Sequence, residues 1–254
     1  DYNNSEEDQY ESSATAIGGF LPAIGGQGYG VYITNTLFTI LNSNTLTYLF
    51  DLGGKHHFNT MLGTEILQTK NRSSFASGRI FPSDDFTYIN SSGVQDAAGS
   101  GFAQNGLISG FGEVRYDYME KYLFTFTSRY DGSSRFGPNR RFGYFPSLSL
   151  GWRVSEEPWM KSLEFIQDLK LRGSYGYTGN ERIGNFTYLG TWAASTYSGA
   201  TGVSPNNLNN PLLQWERTRE ANVGLDVSLW SGRLSVIMEA YDNVTDNLLF
   251  NQPL

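Results

Sequence analysis

The sequence predicts an all-β chain, a succession of about nine antiparallel strands forming part of a large transmembrane β-barrel. Three observations predict it: long runs in which apolar and polar residues alternate with period 2, links between those runs that alternate short and long, and an aromatic content of 15%. Alternation puts successive side chains on opposite faces of a strand. A strand that meets lipid on one face and water on the other averages out polar, which agrees with the negative mean hydropathy. No apolar run approaches the roughly 20 residues of a membrane helix. Tyr and Phe favour strands and collect in girdles at the two lipid–water boundaries of a barrel.

The expected strands cover about 29–40, 44–52, 55–69, 105–118, 121–132, 141–154, 167–178, 214–229 and 233–247. Tyr122, Phe124, Phe126 and Tyr130 oppose Lys121, Thr125, Thr127, Arg129 and Asp131. Phe142, Tyr144, Leu148, Leu150 and Trp152 oppose Arg141, Ser147, Ser149 and Arg153. Leu169, Leu171, Tyr175 and Tyr177 oppose Asp168, Lys170, Arg172 and Ser174, and Val223, Leu225 and Val227 oppose Glu220, Asn222 and Asp226. These runs exceed the usual strand of about 5–6 residues and suit a tilted crossing of a bilayer.

Gly53-Gly54, Met119-Glu120 and Ser231-Gly232 read as tight hairpin turns. If the strands run up and down, these turns fall at one end. The long links, about 70–104 and 180–213, and the shorter 133–140 fall at the other. One link at the tight-turn end, 155–166, is longer and is expected to hold a short helix at Glu156–Met160. Short periplasmic turns facing long extracellular loops are the outer-membrane barrel pattern. Nine strands do not close a bacterial barrel and lipid tolerates no open edge, so the chain is expected to be a portion of a longer protein. With no signal-peptide pattern at its start, it is expected to begin part-way along that protein.

Composition excludes several classes. A formal charge of −7 argues against nucleic acid, which needs a basic surface. Without Cys there is neither a disulfide framework nor a thiolate metal site. Two His and no convergent acid–base pair nominate nothing catalytic. No enzyme activity, cofactor or resident metal is expected.

Certain segments are more specific. Leu107-Ile108-Ser109-Gly110-Phe111-Gly112-Glu113-Val114-Arg115-Tyr116-Asp117-Tyr118 precedes Arg129-Tyr130-Asp131-Gly132-Ser133-Ser134-Arg135-Phe136-Gly137-Pro138-Asn139 and Gly143-Tyr144-Phe145-Pro146-Ser147. Gly151-Trp152-Arg153, Leu171–Gly176, Trp215–Thr218, Asn222–Asp226 and Tyr241-Asp242-Asn243 follow. Together they resemble the SusC/RagA family of TonB-linked outer-membrane proteins, closely over 105–250 and less so over 45–68. The resemblance implies a 22-stranded barrel plugged by an N-terminal domain, powered through TonB and lidded by a SusD-like surface lipoprotein, in a paired 2:2 assembly. It also implies import of large nutrients, oligosaccharide or peptide. The plug, the TonB box and the final strands are not among these residues.

Individual candidates each carry a plainer reading. His56 and His57 are adjacent, so in a strand they point apart and share no metal. Asp84-Asp85, with Asn90, Ser91 and Asp96, offers oxygens to a hard cation but lacks Ca²⁺-loop spacing, and a solvated loop is the plainer account. Gly25-Gly26-Gln27-Gly28-Tyr29-Gly30 resembles a phosphate loop without the Lys and helix that would complete it. In the signature Asp131, Gly132, Ser133, Ser134, Arg135, Phe136 and Gly137, Ser lacks a His base. Asp131 and Ser133 are expected to cap backbone donors, and Arg135 to pair with a carboxylate. Tyr88, Trp192 and Tyr197 stand in long loops, where they either contact a ligand or lid or pack their own loop. Trp152, Trp159, Trp215 and Trp230 lie near strand ends, where girdles sit. Arg129, Arg153, Arg172, Glu216, Glu220 and Asp226 are expected to face the lumen.

Three function classes follow: an active importer barrel in the outer membrane, a passive porin-like barrel, and a soluble β-rich carbohydrate-binding domain. A plug and TonB box separate the first two, and detergent dependence separates the third.

Overall fold

An apolar sheet face in water needs a second layer over it. The computed structural model describes residues 1–11 and 28–250 and shows little such covering. Among the described residues the buried hydrophobic side chains are Phe81, Phe136, Phe145, Val154, Met160 and Trp215, while Leu46, Leu62, Leu150 and Val223 are more than half exposed. No helix among them is long and apolar enough to cross a membrane, which says nothing of a crossing by strands.

The strands are β1 (Tyr2–Glu11), β2 (Tyr29–Leu52), β3 (His56–Arg79), β4 (Val94–Tyr118), β5 (Tyr122–Ser133), β6 (Phe142–Arg153), β7 (Ile166–Asn180), β8 (Thr191–Tyr197), β9 (Ala200–Asn207), β10 (Glu216–Leu229) and β11 (Leu234–Asp246). Nine form one sheet in the order β1-β2-β3-β4-β5-β6-β7-β10-β11, and β8 and β9 form a separate hairpin. The expected all-β, antiparallel class is thus observed.

Several strand boundaries differ from the expectation. The runs 29–40 and 44–52 are one 24-residue strand, β2. Asn42, in the expected gap, and Asn44 bond to each other at 2.6 Å on one face while the strand continues. β3 and β4 extend far into the expected 70–104 loop, leaving a link over 80–93 with one 3-10 turn at Ile89–Ser91. β1 was not expected at all. Its sequence YNNSEEDQYE is polar on both faces, and it is held by a ladder to β2 from Tyr2↔Phe38 to Glu11↔Tyr29. The expected short helix in 155–166 is instead a 3-10 turn at Val154–Glu156 followed by hydrogen-bonded turns.

The tight turns form where expected. Gly53 and Gly54 adopt φ of +60° and +63°, as a hairpin twist requires. Met119 and Glu120 take φ of 54° and 57° without being Gly, and Trp230 and Ser231 do the same.

The chain comprises two compact units. Unit one contains residues 1–41 and 67–105, and unit two contains 42–66 and 106–254. In unit one the Phe81 ring meets Tyr10 edge-on at 5.0 Å. Unit two holds a small core of Phe136, Phe145 and Trp215, with Leu107, Tyr177, Ile183, Leu213 and Leu249 packed against it.

Candidate functional site

Cross-strand partners share a face of a sheet. In unit two Arg129 pairs with Phe145, Ser147 with Gly176, Gly151 with Arg172 and Arg153 with Lys170. β10 continues the same face through Asn180↔Glu216, Gly176↔Glu220 and Lys170↔Asp226. The six residues expected to face a lumen, Arg129, Arg153, Arg172, Glu216, Glu220 and Asp226, therefore lie on one polar face. The opposite face presents Tyr122, Phe124, Phe126, Tyr144, Leu148, Leu150, Leu171 and Val223, all exposed. A contiguous exposed apolar face of this kind marks contact with something other than water.

The polar face is cross-linked. Arg129 Nε donates to Asp131 Oδ2 at 2.9 Å and its Nη2 to Ser109 Oγ at 2.9 Å. Glu65 approaches the same guanidinium at 3.5 Å, and the Phe111 ring lies 5.2 Å from it. Arg172 binds Asp226 at 3.3 Å and also Glu239. Thr178 donates to Glu220, and Asn180 to Glu216. Arg153 faces Glu156, Asp168 and Glu120 at 3.6, 3.8 and 4.0 Å, loose exposed pairs that contribute little each.

Beside Arg129 the face opens into a hollow of about 600 Å³, lined by Thr127, Ser147, Ser149, Tyr177 and Thr178 among others. Mixed charge and many hydroxyls equip it to bind polar solutes through hydrogen bonds. Its aromatic wall, the Phe111 ring, was not singled out from the sequence as a site residue. Phe111 fits because Gly63 opposite it has no side chain: a Cβ there would come within 2.3 Å of the ring.

Of the signature residues, Asp131, Gly132, Ser133, Phe136 and Gly137 are buried, and Phe136 belongs to the small core. Phe136 is fully buried, and its ring and that of Phe145 both lie 5.3 Å from Trp215. Ser133, 1% exposed, accepts from the Arg135 amide at 3.2 Å, as expected of a capping residue. Ser134 Oγ accepts from the Gly106 amide at 2.8 Å. Asp131 instead receives the Arg129 side chain. Arg135 donates to the Glu181 carbonyl at 3.2 Å and not to a carboxylate. Trp215 is no girdle residue. Its indole N–H donates to the Arg141 carbonyl at 2.7 Å, which draws the ring inward. Trp159 and Trp230 are exposed, whereas Trp152 donates to Glu157 at 3.2 Å.

At the tight-turn end, Glu157 accepts from the Tyr122 hydroxyl at 2.7 Å and from Trp152, with Lys121 at 3.7 Å. These donors, Tyr122 first, hold its carboxyl below the ordinary value of 4.5.

Trp192 and Tyr197 lie on β8 at positions of opposite parity, 67% and 87% exposed, and Tyr88 stands at the 3-10 turn of unit one. His56 contacts the Tyr116 hydroxyl at 2.9 Å and His57 binds Asp51 at 2.6 Å. Asp84 accepts from the Tyr10 hydroxyl while Asp96 binds Arg79, and no metal-ligating cluster occurs among the described residues. Gly25–Gln27 fall outside the described residues.

The whole chain, residues 1–254, matches the family model described as TonB dependent receptor-like, beta-barrel. The chain belongs to this family. Among curated members of this family, TonB-dependent receptor P39 of Formosa agariphila is 39% identical over 223 residues, 87% of this chain and 22% of that protein. TonB-dependent receptor SusC of Bacteroides thetaiotaomicron is 34% identical over 233 residues, again 87% and 22%. The chain thus spans about a quarter, 22–26%, of the length of the TonB-dependent receptors it matches. Its fold is that of the RagAB peptide transporter, with a TM-score of 0.90 at 24% identity, over 100% of this chain and 28% of that one. The SusC/RagA resemblance read from the signature is shown by these matches.

Proposed function

We propose that these strands are part of an outer-membrane importer barrel of the SusC/RagA type. The observation that carries this reading is the division of one sheet into an exposed apolar face and a cross-linked polar face, with tight turns at one end and long links at the other. The apolar face meets outer-membrane lipid, and the polar face, with Arg129, Arg172, Glu220 and the hollow beside them, lines the lumen. The links over 80–93, 134–141 and 181–215 are extracellular loops. Tyr88, Trp192 and Tyr197 contact substrate or lid from those loops. SusC and the RagAB peptide transporter support import of a large nutrient, oligosaccharide or peptide, under a SusD-like lipoprotein lid, with TonB acting through a plug that lies outside this chain. Nothing on the polar face calls for chemistry on the cargo. The residues act by binding and release alone.

The experiment is isolation of the intact protein from outer-membrane vesicles in mild detergent, with mass spectrometry of what co-purifies and nutrient uptake in cells with and without TonB. A co-purifying lipoprotein and TonB-dependent uptake are expected. Uptake indifferent to TonB would make the barrel a passive pore, and solubility without detergent would end the membrane reading.

A further inference from the structure

We propose that the face of unit one bearing Lys70 and Arg72 binds the phosphorylated sugar headgroup of an outer-leaflet glycolipid. Even positions of β2 run Thr34, Thr36, Phe38 and Ile40, and the Thr34 hydroxyl meets that of Ser74 in β3 at 2.6 Å. Lys70 and Arg72 share parity with Ser74, so they stand on this face. The Arg72 guanidinium lies 5.7 Å from the Phe102 ring of β4. Thr34, Thr36, Arg72, Ser74, Ser100 and Phe102 line an open hollow of about 620 Å³.

Lys70 and Arg72 pair with no carboxylate among the described residues, in a chain whose net charge is −7. The carboxylates of this parity are Glu6 and Asp8 on β1, on the far side of β2, and Asp96 on β4; Glu6 accepts from the Tyr32 hydroxyl and Asp96 binds Arg79. An Arg–Lys pair with free donors recognises phosphate. The hydroxyls suit sugar hydroxyls, and Phe102 presents an exposed ring for a pyranose to stack upon. Phe38 and Ile40, exposed further along the same face of β2, suit acyl chains. A ligand that uses all three chemistries is an amphiphile with an anionic sugar head.

The order of residues along β3 agrees: its even positions change from the apolar Phe58, Leu62 and Ile66 to Lys70, Arg72 and Ser74, the change from acyl-chain to headgroup chemistry expected of a strand that leaves the apolar band. The inference rests on the importer-barrel reading, which turns this parity toward lipid.

The test uses the intact protein in detergent. Binding of diphosphoryl lipid A, its dephosphorylated form and phosphatidylethanolamine is measured by native mass spectrometry, for the wild type and for Lys70→Gln/Arg72→Gln. The wild type is expected to hold diphosphoryl lipid A at least tenfold more tightly than the dephosphorylated lipid. The variant is expected to lose that preference, with the folded gel mobility unchanged. Millimolar inorganic phosphate should not compete, since it lacks sugar and acyl contacts. Equal affinity of both proteins for diphosphoryl lipid A, or of the wild type for both lipid A forms, overturns the inference, as does full competition by phosphate. Outer-membrane fractionation of the wild type separates the two readings. A membrane-inserted protein without phosphate preference sinks this inference alone, whereas a soluble one sinks both.

Discussion

Replacing Phe136 by Ala should loosen the loops and leave the sheet standing. Phe136 is fully buried against Trp215, and with Phe145 these rings are the buried heart of a core that half-buried Ile183, Leu213 and Leu249 join. A Phe→Ala change in a core costs about 3–5 kcal/mol, and the lower end applies where loops can settle into the gap. Because this core ties residues 134–140 to 181–183 and 213–215, the loss falls on a local opening and not on the ladders. About 3 kcal/mol multiplies the open population on the order of a hundredfold. Trypsin reads that population when reclosing outpaces cleavage. In the intact protein in mild detergent, where both ends are open to the protease, cleavage after Arg135, Arg140, Arg141 and Arg182 should therefore accelerate by about that factor. Cleavage after Lys55, at the β2–β3 turn, should keep its wild-type rate and serve as the control. An acceleration below threefold at Arg182, or equal acceleration at Lys55, would refute the reasoning.

Other consequences follow from single sites. Met119→Asn with Glu120→Gly relieves two positive φ angles and should raise stability by about 1 kcal/mol, read as a higher urea midpoint at unchanged slope. A lower midpoint would count against the turn geometry. Gly63→Ala should displace the Phe111 ring from beside Arg129 and destabilise by about 1–3 kcal/mol; an unchanged midpoint would show that the ring has room to move. Glu157, whose carboxyl is held low by Tyr122, Trp152 and Lys121, contributes stability that is present above about pH 4.5 and lost as pH falls through its lowered folded value. Acid titration of the urea midpoint should show a smaller loss in that window for Glu157→Gln than for the wild type. Identical pH profiles would remove Glu157 from the account.

Much of the polar face was legible beforehand because strand parity is a local rule. Arg129, Arg153, Arg172, Glu216, Glu220 and Asp226 fall on one face once each strand is located, whatever its neighbours. The position of Trp215 at a strand end was equally legible, but not its direction. A girdle Trp and a core Trp differ in whether an acceptor waits inside, and the Arg141 carbonyl that binds Trp215 lies 74 residues away. Asp131 was expected to cap a backbone donor and Arg135 to pair with a carboxylate, whereas their partners are the Arg129 side chain and the Glu181 carbonyl. β1 escaped notice because its residues carry no alternation of their own and form a strand through pairing with β2.

The sequence by itself determined the parity of each strand face, the tight turns and the all-β class, since period, turn chemistry and propensity are properties of neighbouring residues. The tertiary structure decided how far β2, β3 and β4 run, which strand β1 joins, and where Phe136, Trp215 and Phe111 come to rest. Those outcomes depend on register between segments distant in the chain, where backbone pairing and the space left by a glycine opposite outweigh local preference.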